Sequence, residues 1–183
     1  MKRAIGLLEL KNITRGILAA DAMLKAANVE IVMSQPLCPG KYVVMVAGDV
    51  GAVQSSVRSG KAAAKDENIV DEFVLPNMHD SVFAALSGCS EVKAIHALGV
   101  IETYSVASAI IAADVAAKAA AVELLDVRLA RGMGGKAVVT LTGDVGAVNS
   151  AVRAGGQAIE AGGFLIDTLV LASPHKDLHS ALF

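Results

Sequence analysis

The chain has 183 residues, 54% of them hydrophobic but only 3% aromatic, and its formal net charge is −2. Its basic residues are scattered along the sequence, so this composition argues against nucleic acid as a partner. No uninterrupted apolar run reaches the roughly 18 residues of a membrane span, and no membrane partner is expected. The chain enters an apolar segment at once, so no cleavable signal is expected. Cys38 and Cys89 lie in unlike contexts, which favours free thiols over a disulfide framework.

The sequence contains one small module twice. Residues 4–30 and 97–123 are identical at 12 of 27 positions, at an offset of 93. Residues 40–60 and 135–155 are identical at 14 of 21 positions, at an offset of 95. The repeat therefore predicts two domains rather than one.

We place the first domain at 1–88 and the second at 95–183, with the small, polar stretch 87–96 as the linker. A module of this size buries little surface on its own. The two copies are therefore expected to pack on each other and on other chains.

Both copies predict the same order of elements. In the first copy we expect, in chain order, a strand at 4–10, a helix at 13–27, strands at 29–35 and 41–47, a helix capped by Asp49, a strand at 69–75 and a short helix after Asn77. In the second copy we expect a strand at 97–103, a helix at 106–120, strands at 122–130 and 136–142, a helix capped by Asp144, a strand at 164–171 and a short helix after Ser173. Asn12 and Ser105 are good N-cap residues at equivalent positions. The order βαββαβ(α) predicts an α/β (α+β) sandwich of ferredoxin-like kind, with helices on one side of each sheet.

These residues resemble the bacterial microcompartment shell domain. The resemblance rests on the opening AIGLLEL, the DAMLKAANV helix, the turn ending in Gly-Lys and the GDVGAV helix start, and it covers about 4–183. Two such domains in one chain are similar to the tandem-domain shell proteins, whose homotrimers form pseudohexameric tiles. The resemblance implies a structural protein and not an enzyme, located in the microcompartment shell in the bacterial cytoplasm. It also implies other shell proteins as partners.

Cys38 is the candidate metal ligand. On its own, one cysteine in a loop is more often an ordinary side chain than a metal site. The turn Leu37–Lys41, however, resembles the pore turn of the propanediol-utilisation type of tandem shell protein, which holds an iron–sulfur cluster at its threefold axis. Three thiolates at one axis suit such a cluster and leave one iron open to another ligand. The resemblance thus implies one 4Fe–4S cluster per trimer, shared by Cys38 of three chains, and an electron-transfer protein as a further partner.

Two turns are expected to line the central pore. The second copy has Arg131 or Gly132 where the first has Cys38, so only the first copy can supply a thiolate. The predicted pore-lining residues are Pro39, Gly40, Arg131, Gly132, Met133 and Gly134.

Four residues are candidates for the tile edge. Lys25 and Lys118 lie four residues after an aspartate, which is typical of an ordinary ion pair on a helix surface. The resemblance implies instead that both lysines pack against a neighbouring tile. His79 and His175 correspond across the copies, and we assign them to the same edge. An arginine that many single-domain members carry near this point is absent.

Three functions remain open at this stage. The first is a shell tile with the iron–sulfur cluster, for electron transfer or cluster exchange across the shell. The second is a metal-free tile whose central pore conducts a metabolite, and iron content separates these two. The third is a trimeric ferredoxin-like ligand-binding protein, which predicts a pocket with convergent polar groups. No catalytic set of side chains stands out, and Glu9 and Glu102, inside strands, are expected to be satisfied by backbone or by a partner chain.

Overall fold

The protein is described by a computed structural model over residues 4–90 and 94–178. Its elements are β1 (Ala4–Leu10), α1 (Ile13–Ala26), β2 (Glu30–Leu37), β3 (Lys41–Gly48), α2 (Val50–Ala64), a 3₁₀ turn (Asp66–Asn68), β4 (Ile69–Leu75), α3 (Asp80–Leu86), β5 (Ala97–Thr103), α4 (Val106–Ala119), β6 (Val122–Leu129), β7 (Ala137–Gly143), α5 (Val145–Glu160) and β8 (Leu165–Leu171). Each repeat forms one four-stranded sheet, in the orders β2-β3-β1-β4 and β6-β7-β5-β8. All pairings are antiparallel, which confirms the predicted fold class.

Backbone contacts divide the chain into two compact units. Unit 1 comprises Met1–Met78 with Ser105–Ala107 and Ala130–Gly135, and unit 2 comprises His79–Tyr104, Ser108–Leu129 and Lys136–Phe183. Unit 1 is therefore the first repeat as far as Met78, together with two short segments of the second. Unit 2 contains the rest of the second repeat and α3.

The core of unit 1 lies between its sheet and its two longer helices. α1 and α2 pack against each other, and both pack against β1 and β3. Gly60 makes this close approach possible, because a Cβ there would lie 2.5 Å from Cγ of Met23 and 2.9 Å from Cδ1 of Leu8. In unit 2, α5 packs against β5 and β8, and α3 packs against β6.

The helix starts differ from the prediction in one respect. Asn12 caps α1 as expected, since its side chain accepts a hydrogen bond of 3.0 Å from the N–H of Arg15. Asp49 and Asp144 occupy the N-cap positions of α2 and α5, but neither side chain makes a capping hydrogen bond. Both carboxylates are exposed, so water can hydrate them, and a capping bond would gain little.

The last predicted helices are only partly described. The helix expected after Asn77 begins at Asp80. In the second copy residues 176–178 are helical, and the rest of that predicted helix lies outside the described residues. Within 4–90 and 94–178, none of the helices combines the length and hydrophobicity that a membrane span requires.

Candidate functional site

The turn that carries Cys38 is tightly held by its backbone. The N–H of Cys38 donates to the carbonyl oxygen of Ala130 at 2.9 Å, and the N–H of Gly40 donates to that of Leu37 at 2.9 Å. Cys38, Pro39 and Gly40 are all exposed. The turn therefore presents the thiol to its surroundings on a fixed backbone.

The second-copy loop lies against this turn within unit 1. Gly135 is buried with φ +90°, and a Cβ there would lie 3.0 Å from Cδ of Pro39 and 3.2 Å from the carbonyl oxygen of Cys38. Arg131 donates from Nη2 to Oε1 of Gln35 at 2.7 Å. The structure thus brings the two predicted pore-lining turns together.

The other loop residues also lie in unit 1. Gly132 and Gly134 are exposed and have φ of +72° and +61°. Met133 between them is half-buried. Alternating glycines supply the left-handed backbone conformations that this loop needs, which other residues rarely adopt.

Beneath the turns lies a buried charged group, which we name the Glu9 cluster: Glu9, Lys41, Ser105, Val106 and Ala107. Lys41 Nζ pairs with Oε1 of Glu9 and also donates to the carbonyl oxygen of Gly135 at 2.9 Å. Oε2 of Glu9 accepts from Ser105 Oγ at 3.1 Å and from the N–H groups of Val106 at 2.7 Å and Ala107 at 3.2 Å. The Glu9 side chain is 0% exposed.

These contacts explain how a carboxylate is tolerated in a buried strand. A buried charge is costly unless it is paired and hydrogen-bonded. Glu9 has a cation on one oxygen and the start of α4 on the other, where the helix dipole favours a negative charge. The pairing of β1 with β4 shifts register immediately after Glu9, an irregularity that re-aims side chains. The sequence offered one signal of this cluster, a glutamate inside an otherwise apolar strand.

The thiol of Cys38 meets the requirements of a metal donor. It is a free, exposed cysteine, and its sulfur makes no hydrogen bond to any residue within 4–90 and 94–178. Over the same residues, no group of three or more His, Cys, Asp or Glu side chains in one chain could hold a metal ion. Within these residues of a single chain, Cys38 therefore does not belong to a set of three or more such ligands. Cys89 is also exposed, and its thiol donates to the carbonyl oxygen of Ser87 at 3.5 Å.

The two candidate edge lysines form the expected helix ion pairs, in unlike surroundings. Lys25 Nζ lies 2.7 Å from Oδ2 of Asp21, and both side chains are well exposed. Lys118 Nζ lies 2.6 Å from Oδ2 of Asp114, whose side chain is only 4% exposed. Oδ1 of Asp114 also accepts the backbone N–H of His79 at 2.7 Å.

The two candidate edge histidines lie at helix starts. His79 is the N-cap of α3, and its Nδ1 accepts from the N–H of Ser81 at 3.3 Å. His175 makes the equivalent contact at 3.2 Å with the N–H of Asp177. Each imidazole ring therefore accepts a hydrogen bond from the backbone two residues further along the chain. Both histidines are exposed, and their role at a tile edge stays a prediction.

The sequence profile of the BMC domain matches residues 4–78 and 97–174. The domain limits 1–88 and 95–183 stay a prediction. The bacterial microcompartment shell protein PduT of Citrobacter freundii is 46% identical over 178 residues, which cover 97% of this chain and 96% of that protein. The shell protein PduA of the same organism is 42% identical over 82 residues, 44% of this chain and 88% of PduA. PduA thus matches about one repeat, and PduT matches both.

A solved structure agrees with these matches. The crystal structure of a microcompartment protein from Desulfitobacterium hafniense has a TM-score of 0.86 and 50% identity, and the alignment covers 98% of this chain and 99% of that chain. The profile and full-length matches confirm the resemblance inferred from the residues and the location in a microcompartment shell. The chain belongs to the bacterial microcompartment shell proteins, as a member with two BMC domains in tandem.

Proposed function

We propose that this protein is a structural, non-enzymatic tile of a microcompartment shell, a homotrimer whose three Cys38 thiolates hold one 4Fe–4S cluster at the central pore. The supporting observation is the turn itself. Its exposed, free thiol lies on a backbone that is anchored to the second-copy loop through Ala130. A fixed donor whose sulfur has no hydrogen-bond partner within 4–90 and 94–178 suits ligation shared between chains.

Cys38 has the right chemistry for the proposed group. Thiolates are the usual protein ligands of iron–sulfur clusters. Three cysteines would leave one iron with an open position, available to water or a small ligand. When bound, such a cluster supplies one-electron chemistry, and we propose transfer of electrons or of the cluster across the shell. An electron-transfer protein would be the partner for the first of these roles.

Iron analysis tests this proposal. Protein purified without oxygen should contain iron and sulfide at about four atoms each per trimer, as a 4Fe–4S cluster requires. It should also show visible absorbance and, after reduction, an electron paramagnetic resonance signal. Cys38→Ser should remove all of these signals. Cys89→Ser is the matched control and should retain them, because Cys89 lies in the linker.

A metal-free tile is the second candidate. The described residues of a single chain contain no group of three or more His, Cys, Asp or Glu side chains that could hold a metal ion, so one chain does not form a metal site from these residues alone. The paired turns would then form the rim of a metabolite-conducting pore, with Cys38 as one rim residue. Anaerobic protein that assembles into tiles but contains no iron would favour this candidate over the cluster.

A further inference from the structure

The Glu9 cluster of unit 1 has an incomplete counterpart in unit 2. Glu102 and Lys136 occupy the positions in the second repeat that Glu9 and Lys41 occupy in the first. They also form an ion pair, with Nζ of Lys136 3.0 Å from Oε1 of Glu102. β5 shifts register against β8 immediately after Glu102, as β1 does against β4 after Glu9. The Glu102 side chain, however, is 33% exposed, and no backbone N–H of the described residues donates to it.

The start of α1 corresponds to the start of α4 in the Glu9 cluster. We call this helix start and the Glu102–Lys136 pair the two open halves of the contact. Asn12, Ile13 and Thr14 correspond, at an offset of 93, to the three residues of the second repeat that cover Glu9. In the described part of the chain, no acceptor lies against the N–H groups of Ile13 and Thr14. Ile13 is 41% exposed, whereas its counterpart Val106 is completely buried. One chain therefore carries two N–H donors at the start of α1 and one carboxylate acceptor, Glu102. They match the groups that are joined in the Glu9 cluster, and within the described residues neither has a partner of that kind.

Apolar burial follows the same pattern. Ile17 on α1 is 56% exposed, and its counterpart Ile110 on α4 is completely buried. At the other open half, Leu169 on β8 pairs with Val100 as Phe73 on β4 pairs with the equivalent Leu7. Leu169 is 47% exposed, whereas Phe73 is buried. Each repeat thus exposes apolar side chains whose counterparts in the other repeat are buried.

We propose that a second copy of this chain completes the Glu102–Lys136 pair. Glu102 of one copy accepts hydrogen bonds from the N–H groups of Ile13 and Thr14 of the partner subunit. The exposed α1 face of the partner subunit then covers the β5–β8 edge. This inference rests on the proposed self-assembly into homotrimers, and it is independent of the iron–sulfur cluster.

Charge and surface chemistry indicate that a second copy of this chain binds at the Glu102–Lys136 pair. A helix start carries a partial positive charge, which a carboxylate complements. The two open halves differ from each other, so two copies would join head-to-tail. Contacts of this kind form a closed ring when the rotation that relates neighbouring subunits adds up to a full turn. The Glu9 cluster shows that this sequence already makes the same contact once, within unit 1.

A cross-linking experiment tests the position of the contact. In unit 1, Ser105 Oγ is hydrogen-bonded to Oδ2 of Asp71. The counterpart of Asp71 is Asp167, because Asp71 pairs with Glu9 across the sheet and Asp167 pairs with Glu102. With both native cysteines replaced by serine, Asn12→Cys combined with Asp167→Cys should give covalent trimers with a short bifunctional thiol reagent. Asn12→Cys combined with Asp71→Cys should give none, because Ser105 occupies that place. Equal cross-linking of both pairs, or of neither, would overturn the proposal.

A second measurement tests the carboxylate. Removing one partner of a buried, hydrogen-bonded charge pair at an interface costs about 2 kcal/mol or more, which is about a 30-fold loss in affinity. We expect Glu102→Ala to weaken subunit association by that factor in analytical ultracentrifugation, and Glu160→Ala, at an exposed glutamate, to leave it unchanged. Unaltered association of Glu102→Ala in a trimeric protein overturns this inference alone. A wild-type chain that stays monomeric overturns the proposed trimer as well.

Discussion

The N–H of Cys38 donates a hydrogen bond of 2.9 Å to the carbonyl oxygen of Ala130. This bond joins the turn of the first copy to the loop of the second within unit 1. Gly135, at the end of the same loop, lies so close to Pro39 that an added Cβ would be only 3.0 Å from its Cδ and would crowd the turn. The position of the thiol therefore depends on a loop that contributes no cysteine.

Replacing Gly135 by alanine should disturb this position. The added Cβ would lie 3.0 Å from Cδ of Pro39, on a backbone whose φ is +90°. We expect the left-handed conformation to cost about 1–2 kcal/mol and the crowding to cost roughly 1–3 kcal/mol more. Urea-induced unfolding measures both costs together. Because the Cys38 turn is expected to give by a few tenths of an ångström to relieve this crowding, the variant should also retain less iron per trimer.

Gly134→Ala is the matched control for that substitution. Gly134 also has a positive φ, +61°, but a Cβ there would meet nothing within 4 Å. We expect only the conformational cost of about 1–2 kcal/mol and an unchanged iron content. Equal iron loss in both variants would show that the close contact beneath Cys38 does not position the thiol.

Lys41 should matter more for stability than any exposed lysine. Lys41→Ala leaves the buried Glu9 carboxylate without a cation, and breaking a buried pair in this way costs about 3–5 kcal/mol. Lys61→Ala removes a partly exposed pair with Glu72, which is worth about 1 kcal/mol or less. Urea-induced unfolding of the two variants measures the difference. Similar losses would contradict the role assigned to the Glu9 cluster.

Local patterns were enough to predict most of the fold. The predicted limits of β1, β4 and β5 agree with the structure residue for residue, because alternation and flanking polar residues mark strand ends locally. Asn12 was recognised as a cap for the same reason, since the bond it makes reaches only three residues along the chain. The exposed caps Asp49 and Asp144 show the limit of this approach, because a favourable residue type does not ensure the bond.

The Glu9 cluster could not be predicted in the same way. Its carboxylate meets residues 96 to 98 positions later in the chain, so no local pattern connects them. The sequence left the partner of Glu9 open between backbone and another chain. For Glu9 the answer is the backbone at the start of α4, and for Glu102 we infer the same kind of backbone from a second copy.

The ion pair of Lys61 predicts a change of stability in alkaline solution. Its hydrogen bond to Glu72, 2.8 Å long, raises the pKa of Lys61 above its usual 10.5, and the nearby negative charge adds to the effect. A raised pKa gives stability that is present below 10.5 and is lost as the pH rises through the higher value. The difference in Tm between wild type and Lys61→Met should therefore shrink over this range. Lys65→Met is the control, because it removes an exposed lysine and keeps the Lys61–Glu72 pair. Its stability should therefore still show the alkaline loss that Lys61→Met lacks.

The edge role of Lys25 and Lys118 can be separated from their ion pairs. Lys25 pairs with the exposed Asp21, a contact worth about 0.2–0.5 kcal/mol, so its removal should scarcely affect folding. Lys118 pairs with the buried Asp114 and should cost more. If both lysines form tile contacts, the double alanine variant should remain trimeric in ultracentrifugation but form no sheets in electron microscopy, whereas Lys65→Ala should form sheets normally. Sheets of unchanged size and order from the double variant would contradict a role of the two lysines in tile contacts.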